Sequence, residues 1–233
     1  MQVLIWVIVI GLLVGLVIAG TAYSKVNTII EKYSHEDCKI GCTAGQLVEK
    51  CNEVFNLNVK LALTNKRLGN AYIVKKKIIV LDKDVVNSKS ISAIAIASHE
   101  IGHAFQEKNG NFLLKLDMFF RKIYSILKFL IVPILISGVV LLFIDDMVKW
   151  GLVIIASLVI VWLFSLITRV ITIPMEYGAS NIAYNMLKEN RVLTRAELKI
   201  TKKILNAAAL TYVGAVFVNL LNALKSLRGS FKR

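Results

Sequence analysis

Cysteine and histidine each occur only three times in this 233-residue chain, proline twice, and just 19% of the residues are charged. Each scarcity excludes something. Three cysteines (Cys38, Cys42 and Cys51) are an odd number without a disulfide-like framework, which suits a reducing compartment. A soluble domain averages nearer a quarter charged residues, so 19% with 56% hydrophobic residues is not an ordinary soluble composition. Acidic residues are scarce as well, 15 against 29 basic ones, for a net charge of +14. That balance invites a nucleic-acid reading, but no RNP-like, helix-turn-helix or zinc-finger pattern accompanies it. Lysine and arginine collected on the cytoplasmic side of a membrane protein explain the same excess.

The apolar residues gather in long uncharged runs, as membrane spans do. The first run, Val3 to Ala22, lacks the basic n-region and small-residue cleavage site of a signal peptide and reads as an uncleaved anchor. Two further runs cover about Ile123–Ile144, with Pro133 inside and Lys128 near the edge, and about Trp150–Thr168. A long lysine side chain reaches the interface and does not veto a span. The loop between these runs contains Asp145, Asp146 and only Lys149, whereas Ser24–Arg121 and the segment after Thr168 are rich in Lys and Arg. The charge rule then puts the loop outside and both basic regions in the cytoplasm. A fourth apolar stretch, Leu205–Leu224, contains Asn206, Asn219 and Asn222 and precedes a basic tail, so it reads as either a span or an interfacial helix.

Between the anchor and the second run the pattern is mixed. The capping box Thr43-x-x-Gln46 opens an amphipathic helix to Phe55, with Cys51 on its apolar face beside Leu47 and Val54. On that account the thiols, including those of His35-x-x-Cys38-x-x-x-Cys42, are small buried hydrophobes rather than metal ligands. Val59–Leu63 and Tyr72–Leu81 read as short strands, separated by turn residues around Asn65–Gly69. Ser92 is placed to cap a helix ending near Asn109-Gly110, and Pro174 to open another continuing to about Lys188.

The chemistry lies in His99-Glu100-Ile101-Gly102-His103. Histidines four apart on a helix project from one face at neighbouring turns, so two ring nitrogens can reach one zinc ion. Glu100 sits to the side of the pair, where its carboxylate can take a proton from water without ligating the metal. Gly102 leaves room for close approach of another backbone. A catalytic zinc site takes three protein ligands and leaves a position open. The candidates are His35, Glu107 and Glu176. Glu107 is too far along the same helix, and His35 lies in a polar stretch after the anchor. Glu176 is preferred, because its helix follows a membrane run on the same predicted side as the motif. An ordinary first-turn glutamate favouring the helix dipole is the bland alternative.

Ser98-His-Glu-Ile-Gly-His-Ala-Phe-Gln106 resembles the HExGHAxQ motif of the YugP-type membrane zinc metallopeptidases. Ile173-Pro-Met-Glu-Tyr-Gly-Ala-Ser180 resembles that family's P-x-E-F-D-A-S element, and Ala207-Ala-Ala-Leu-Thr-Tyr-Val213 its A-A-x-T-Y-V segment. Order and spacing agree over nearly the whole chain. The resemblance implies a neutral peptidase with Zn2+ held by His99, His103 and Glu176 and with Glu100 as catalytic glutamate. It also implies an α-rich membrane protein with an α+β gluzincin-like domain, a small β-sheet and about three to four membrane-spanning or membrane-associated helices. The expected organisation is an anchor (1–23), a cytoplasmic peptidase domain (24–122), a transmembrane hairpin (123–169), a cytoplasmic helix with the third ligand (170–204) and a C-terminal membrane-associated helix (205–233). The expected partners are a peptide or protein substrate and the lipid bilayer, not nucleic acid. Gly178 stands where the family has aspartate, and Gly69-Asn70-Ala71-Tyr72 where it has a D-H-Y-D-P-like strand element. Ser180 remains a partner for a ligand, the edge of the Tyr72–Leu81 strand a place for extended substrate, and Tyr72, Tyr177, Tyr184 and Tyr212 are candidate oxyanion donors.

Overall fold

The computed structural model describes residues 20–21, 24–66 and 69–230, with side chains to 213 except that of residue 159. The anchor run Val3–Ala22 therefore lies outside the described residues apart from positions 20 and 21. The described residues form two compact units, one of those up to 111 together with those from 173 onward, and the other of Phe112–Thr172.

In the first unit, helix α1 covers 24–32 and α2 spans Ala44–Phe55. Both halves of the Thr43/Gln46 capping box are present, and α2 ends where Asn56 turns left-handed at φ 48°. Leu47, Val48 and Cys51 face the core, whereas Val54 is exposed. Cys38, Cys42 and Cys51 are buried free thiols, Cys51 lying 3.9 Å from the Met186 sulfur.

Strand β1 (Lys60–Thr64) pairs in parallel with β3 (Ile78–Asp82), and β2 (Ala71–Ile73) pairs antiparallel with β3, giving the order β1-β3-β2. The single strand expected over Tyr72–Leu81 is therefore two. A 3-10 turn at Val74–Lys76 and a left-handed Lys77 (φ 53°) fold that apolar run back on itself. β-Branched composition reports strand preference and is blind to such a reversal.

Helix α3 (Lys83–Val86) leads to α4 (Ile91–Lys108), which carries the motif. Its cap is Ser90, whose hydroxyl accepts from the Ala93 amide, and not Ser92, which is already helical and buried. Either serine offers the right oxygen. Ser90 wins because its own backbone is extended (ψ 155°). Ile79, Leu81, Ile94 and Ile101 are fully buried between sheet and helix, and Met186, Leu187, Leu193, Leu198 and Ile204 join the same core.

The second unit comprises α5 (Phe112–Leu141) and the first part of α6 (Val148–Glu189). Phe120 stacks on Phe164, and the buried Asp117 accepts hydrogen bonds from Thr172 and Arg121. Near the turn Gly151 meets Gly138, where a Cβ would lie 2.7 Å from a carbonyl oxygen. Among the described residues, α5 and α6 are long and apolar enough to cross a membrane. The Leu205–Leu224 stretch belongs instead to one helix, α7 (Arg195–Ser230), which is not among them. Pro174 does not start a helix either: it lies inside the 42-residue α6. Extending an existing helix past one missing N–H avoids the cost of a new nucleus, so the proline is carried through.

Candidate metal centre

Helix periodicity sets the first half of the centre. His99 and His103 face the same side of α4, their rings 4.8 Å apart and near-perpendicular at 80°. Glu176 comes to them from α6, with its Oε2 3.0 Å from Nε2 of His99 and 3.4 Å from Nε2 of His103. One donor atom from each residue lies within 4.8 Å of the others, and this is the one such group of three that could hold a metal among the described residues. Ligands about 2.0–2.1 Å from one ion at tetrahedral angles are about 3.3 Å apart, so the spacing and the N, N, O donor set fit Zn2+.

Gly102 makes this convergence possible. A Cβ there would lie 2.3 Å from the Ala179 carbonyl oxygen, so α4 and α6 touch backbone to backbone between the histidines and the glutamate. Burial disfavours charge on both sides of the cluster, yet the contacts outweigh it. Hydrogen bonds from His103 and His99 bring the Glu176 carboxyl down to about 2, and Glu176 raises His103.

Each histidine is also held from behind. The His103 Nδ1 is 3.0 Å from Oε1 of Gln106, whose Nε2 donates to the Met175 carbonyl at 2.8 Å. Ser180 Oγ lies 3.2 Å from Nδ1 of His99. If a metal replaced those contacts, each Nε2 would offer it a lone pair, and the Nδ1 protons would then go to Gln106 and Ser180. The Gln106 bridge was not visible in the sequence, although a glutamine three residues after a histidine on a helix is the signal that could have found it. Gln106 is almost wholly buried, and it ties His103 to the residue preceding Glu176. Replacing Gln106 with alanine is expected to weaken zinc affinity about 10- to 100-fold with the helices intact. Competition with a fluorescent zinc chelator measures this, and unchanged affinity would count against the bridge.

Glu100 is buried beside the histidines, and its carboxylate accepts the backbone N–H of Tyr72 from β2. Burial pushes its pKa up; His99, His103 and the Tyr72 amide act in the opposite sense, and Glu176 adds to the rise. The net result is an upward shift. The other candidates lie elsewhere. Glu107 accepts the Tyr72 hydroxyl and pairs with Lys77 at 3.8 Å. His35 lines a cavity of about 730 Å3 with Glu31, Asp82 and Asp84. Tyr177 and Tyr184 line a smaller cavity between α6 and α7, and Tyr212 is partly exposed on α7.

Comparison with known proteins follows the same lines. A family described as "Putative neutral zinc metallopeptidase" matches residues 7–230. A relative named "Putative membrane protease YugP", from Bacillus subtilis (strain 168), is 31% identical over 206 residues, covering 88% of each chain. No solved structure matches. With the match running almost from end to end, the chain belongs to this zinc metallopeptidase family.

Proposed function

We propose that the protein is a multi-pass membrane zinc endopeptidase with its site on the cytoplasmic side, in which His99, His103 and Glu176 are the ligands and Glu100 is the general base. The observation that carries the reading is the meeting of three donor atoms within 4.8 Å, beside the buried Glu100 carboxylate on the helix that bears both histidines. Three ligands and a neighbouring acid suit a catalytic site, since a closed structural site takes four Cys or His. Zinc bound there supplies a Lewis acid that lowers the pKa of water and polarises a carbonyl.

The chain's own residues do the rest. Glu100 accepts the proton of the attacking water and passes it to the leaving amine. Gln106 and Ser180 keep both imidazoles in the tautomer that turns Nε2 inward. Strand β2 lies at the edge of the sheet, one residue of it bonded to Glu100, and offers backbone groups to an extended peptide. The apolar helices α5 and α6, and the name of the membrane protease relative, support attachment to the bilayer. The basic segments flanking an acidic loop support the cytoplasmic orientation.

The test is metal removal from the purified full-length protein, assayed on a broad peptide library. Cleavage should disappear on chelation and return in proportion to added zinc. Cleavage that survives complete removal would end the proposal, and full zinc loading without any cleavage would favour a zinc-binding scaffold of the same family.

A further inference from the structure

We propose that the cavity of about 730 Å3 between α1, α3 and the start of α4 is a substrate subsite for a lysine or arginine side chain, with Asp82 as its specificity-determining residue. The inference rests on the peptidase reading and adds a substrate preference to it. Two independent routes join this cavity to the reacting side of the centre. The first runs along α4. Ile96, one of the cavity walls, lies three residues before His99 and four before Glu100, so it shares their face of the helix. Between Ile91 and Ala104 only Ile96 and His99 are not buried, and together they mark one open stripe. The second route runs through the sheet. The Asp82 amide donates to the side-chain oxygen of Asn70 at 2.8 Å, and the Tyr72 amide, two residues further on, donates to the Glu100 carboxylate. Two residues of strand cover about 7 Å. A peptide extended along β2 over the centre would therefore bring to the cavity a side chain one or two residues from the scissile bond. Both routes reach Glu100, and neither passes the Nδ1 edge of His99, which Ser180 occupies.

The mixed lining suits a side chain that is itself mixed. Ile30, Val85, Ala93 and Ile96 offer apolar surface to a methylene stem, and Glu31, Asp82 and Asp84 are the charged groups. Neither lysine nor arginine stands in the walls, and His35 is the one basic residue there. Asp82 is the group that asks for a ligand. It is only 7% exposed, and its Oδ1 caps α3 by accepting the Asp84 amide at 3.3 Å. Its other oxygen, Oδ2, has no donor among the described residues, where neither Asp82 nor Asp84 pairs with a cation. A buried carboxylate is costly to leave half-used, and an ammonium or guanidinium supplies the missing donors. The charge of the whole chain cannot be the cause of such a preference. At +14 it repels a basic side chain, so the attraction has to come from these local carboxylates. With a volume equal to about 24 waters at ~30 Å3 each, the space admits an arginine with solvent around it.

The experiment measures binding in zinc-loaded, full-length Glu100→Gln protein, so that peptides are held and not cut. The probes are alanine-rich decapeptides with an uncharged dye, identical except for a central Lys, Met or Glu. Methionine keeps a long flexible stem without the charge. The Lys peptide should bind about tenfold more tightly than the Met peptide, as expected for a charge-assisted contact, and the Glu peptide more weakly than either. Asp82→Asn removes the charge but keeps the cap of α3, because asparagine caps as well as aspartate. It should cut the Lys-to-Met ratio to about threefold or less. Glu49→Gln makes the same change at an exposed residue of α2 outside the cavity and should leave the ratio alone. Equal binding of the Lys and Met peptides overturns the subsite, as does a ratio unmoved by Asp82→Asn or moved equally by Glu49→Gln. The wild-type protein is then given a mixed peptide library. Lys and Arg should be enriched at one position within two residues of the cut, and Asp82→Asn should relax that position alone. Zinc-dependent cleavage with no such enrichment removes the subsite and leaves the peptidase. A Lys preference in binding without any cleavage by the wild type does the reverse.

Discussion

Changing Glu100 to glutamine is expected to leave zinc in place and to lower peptide hydrolysis by about 10²- to 10⁴-fold, the usual contribution of a positioned acid–base group. The substitution is well matched to its surroundings. Burial already disfavours the charged form of Glu100, so a neutral amide of the same shape meets little penalty there. Its oxygen can still accept the Tyr72 amide that the carboxylate accepts now. Only proton transfer is lost, because an amide cannot take up the proton from water. The loss should therefore appear in kcat more than in KM, while zinc content and melting temperature stay close to wild type. Metal analysis beside steady-state kinetics reads all three. Hydrolysis at the wild-type rate by the zinc-loaded variant would remove Glu100 from the mechanism.

Gly102→Ala should have an effect of similar size by an entirely different route. By helix propensity alone the change ought to stabilise α4, by about 1 kcal/mol. The contact with α6 opposes it. The added methyl would sit 2.3 Å from the Ala179 carbonyl oxygen and 3.0 Å from its carbon. Those atoms belong to a helix backbone, so no flexible side chain can move aside, and overpacking of this kind costs about 1–3 kcal/mol or more. The helices must part, and the proposed ligands are divided between them: His99 and His103 on one, Glu176 one turn from Ala179 on the other. Misplacement of about 1 Å in a catalytic arrangement costs on the order of 10²-fold in rate. The expected result is a lower melting temperature with at least a tenfold loss of zinc affinity. A variant that is more stable and binds zinc normally would show that the close approach is not needed.

What could be read from the sequence was mostly what is local. The Thr43/Gln46 capping box and the His99/His103 spacing are contained within one or two helical turns, and both appear in the structure as expected. The close packing at Gly102 was legible for the same reason, as a missing side chain beside two metal-binding residue types. Choices between near-equivalent neighbours were not. Ser90 and Ser92 offer the same hydroxyl, and the backbone conformation that separates them depends on the preceding loop. The reversal between β2 and β3 turns on one left-handed residue, Lys77, whose side chain gives no hint of it. Pro174 misled for another reason: its rule describes a helix beginning from coil, and here a long apolar helix is already under way. The preference for Glu176 over His35 rested on its place after a membrane run, because each is a long way from the motif in sequence. Tertiary packing sends His35 to one cavity and brings Glu176 to the histidines.

The contact between His99 and Glu176 spans 77 positions of chain. An ion shared by those two residues would act on the unfolded chain as a cross-link does, by forbidding the many conformations in which the ends of that long loop are apart. For a freely flexible loop of this length the chain-entropy relation gives about 4–5 kcal/mol, an upper figure because the loop contains helices α5 and α6. The same ion would then serve two ends at once, as reagent in the site and as the rivet of a chain that has no disulfide among its three free cysteines.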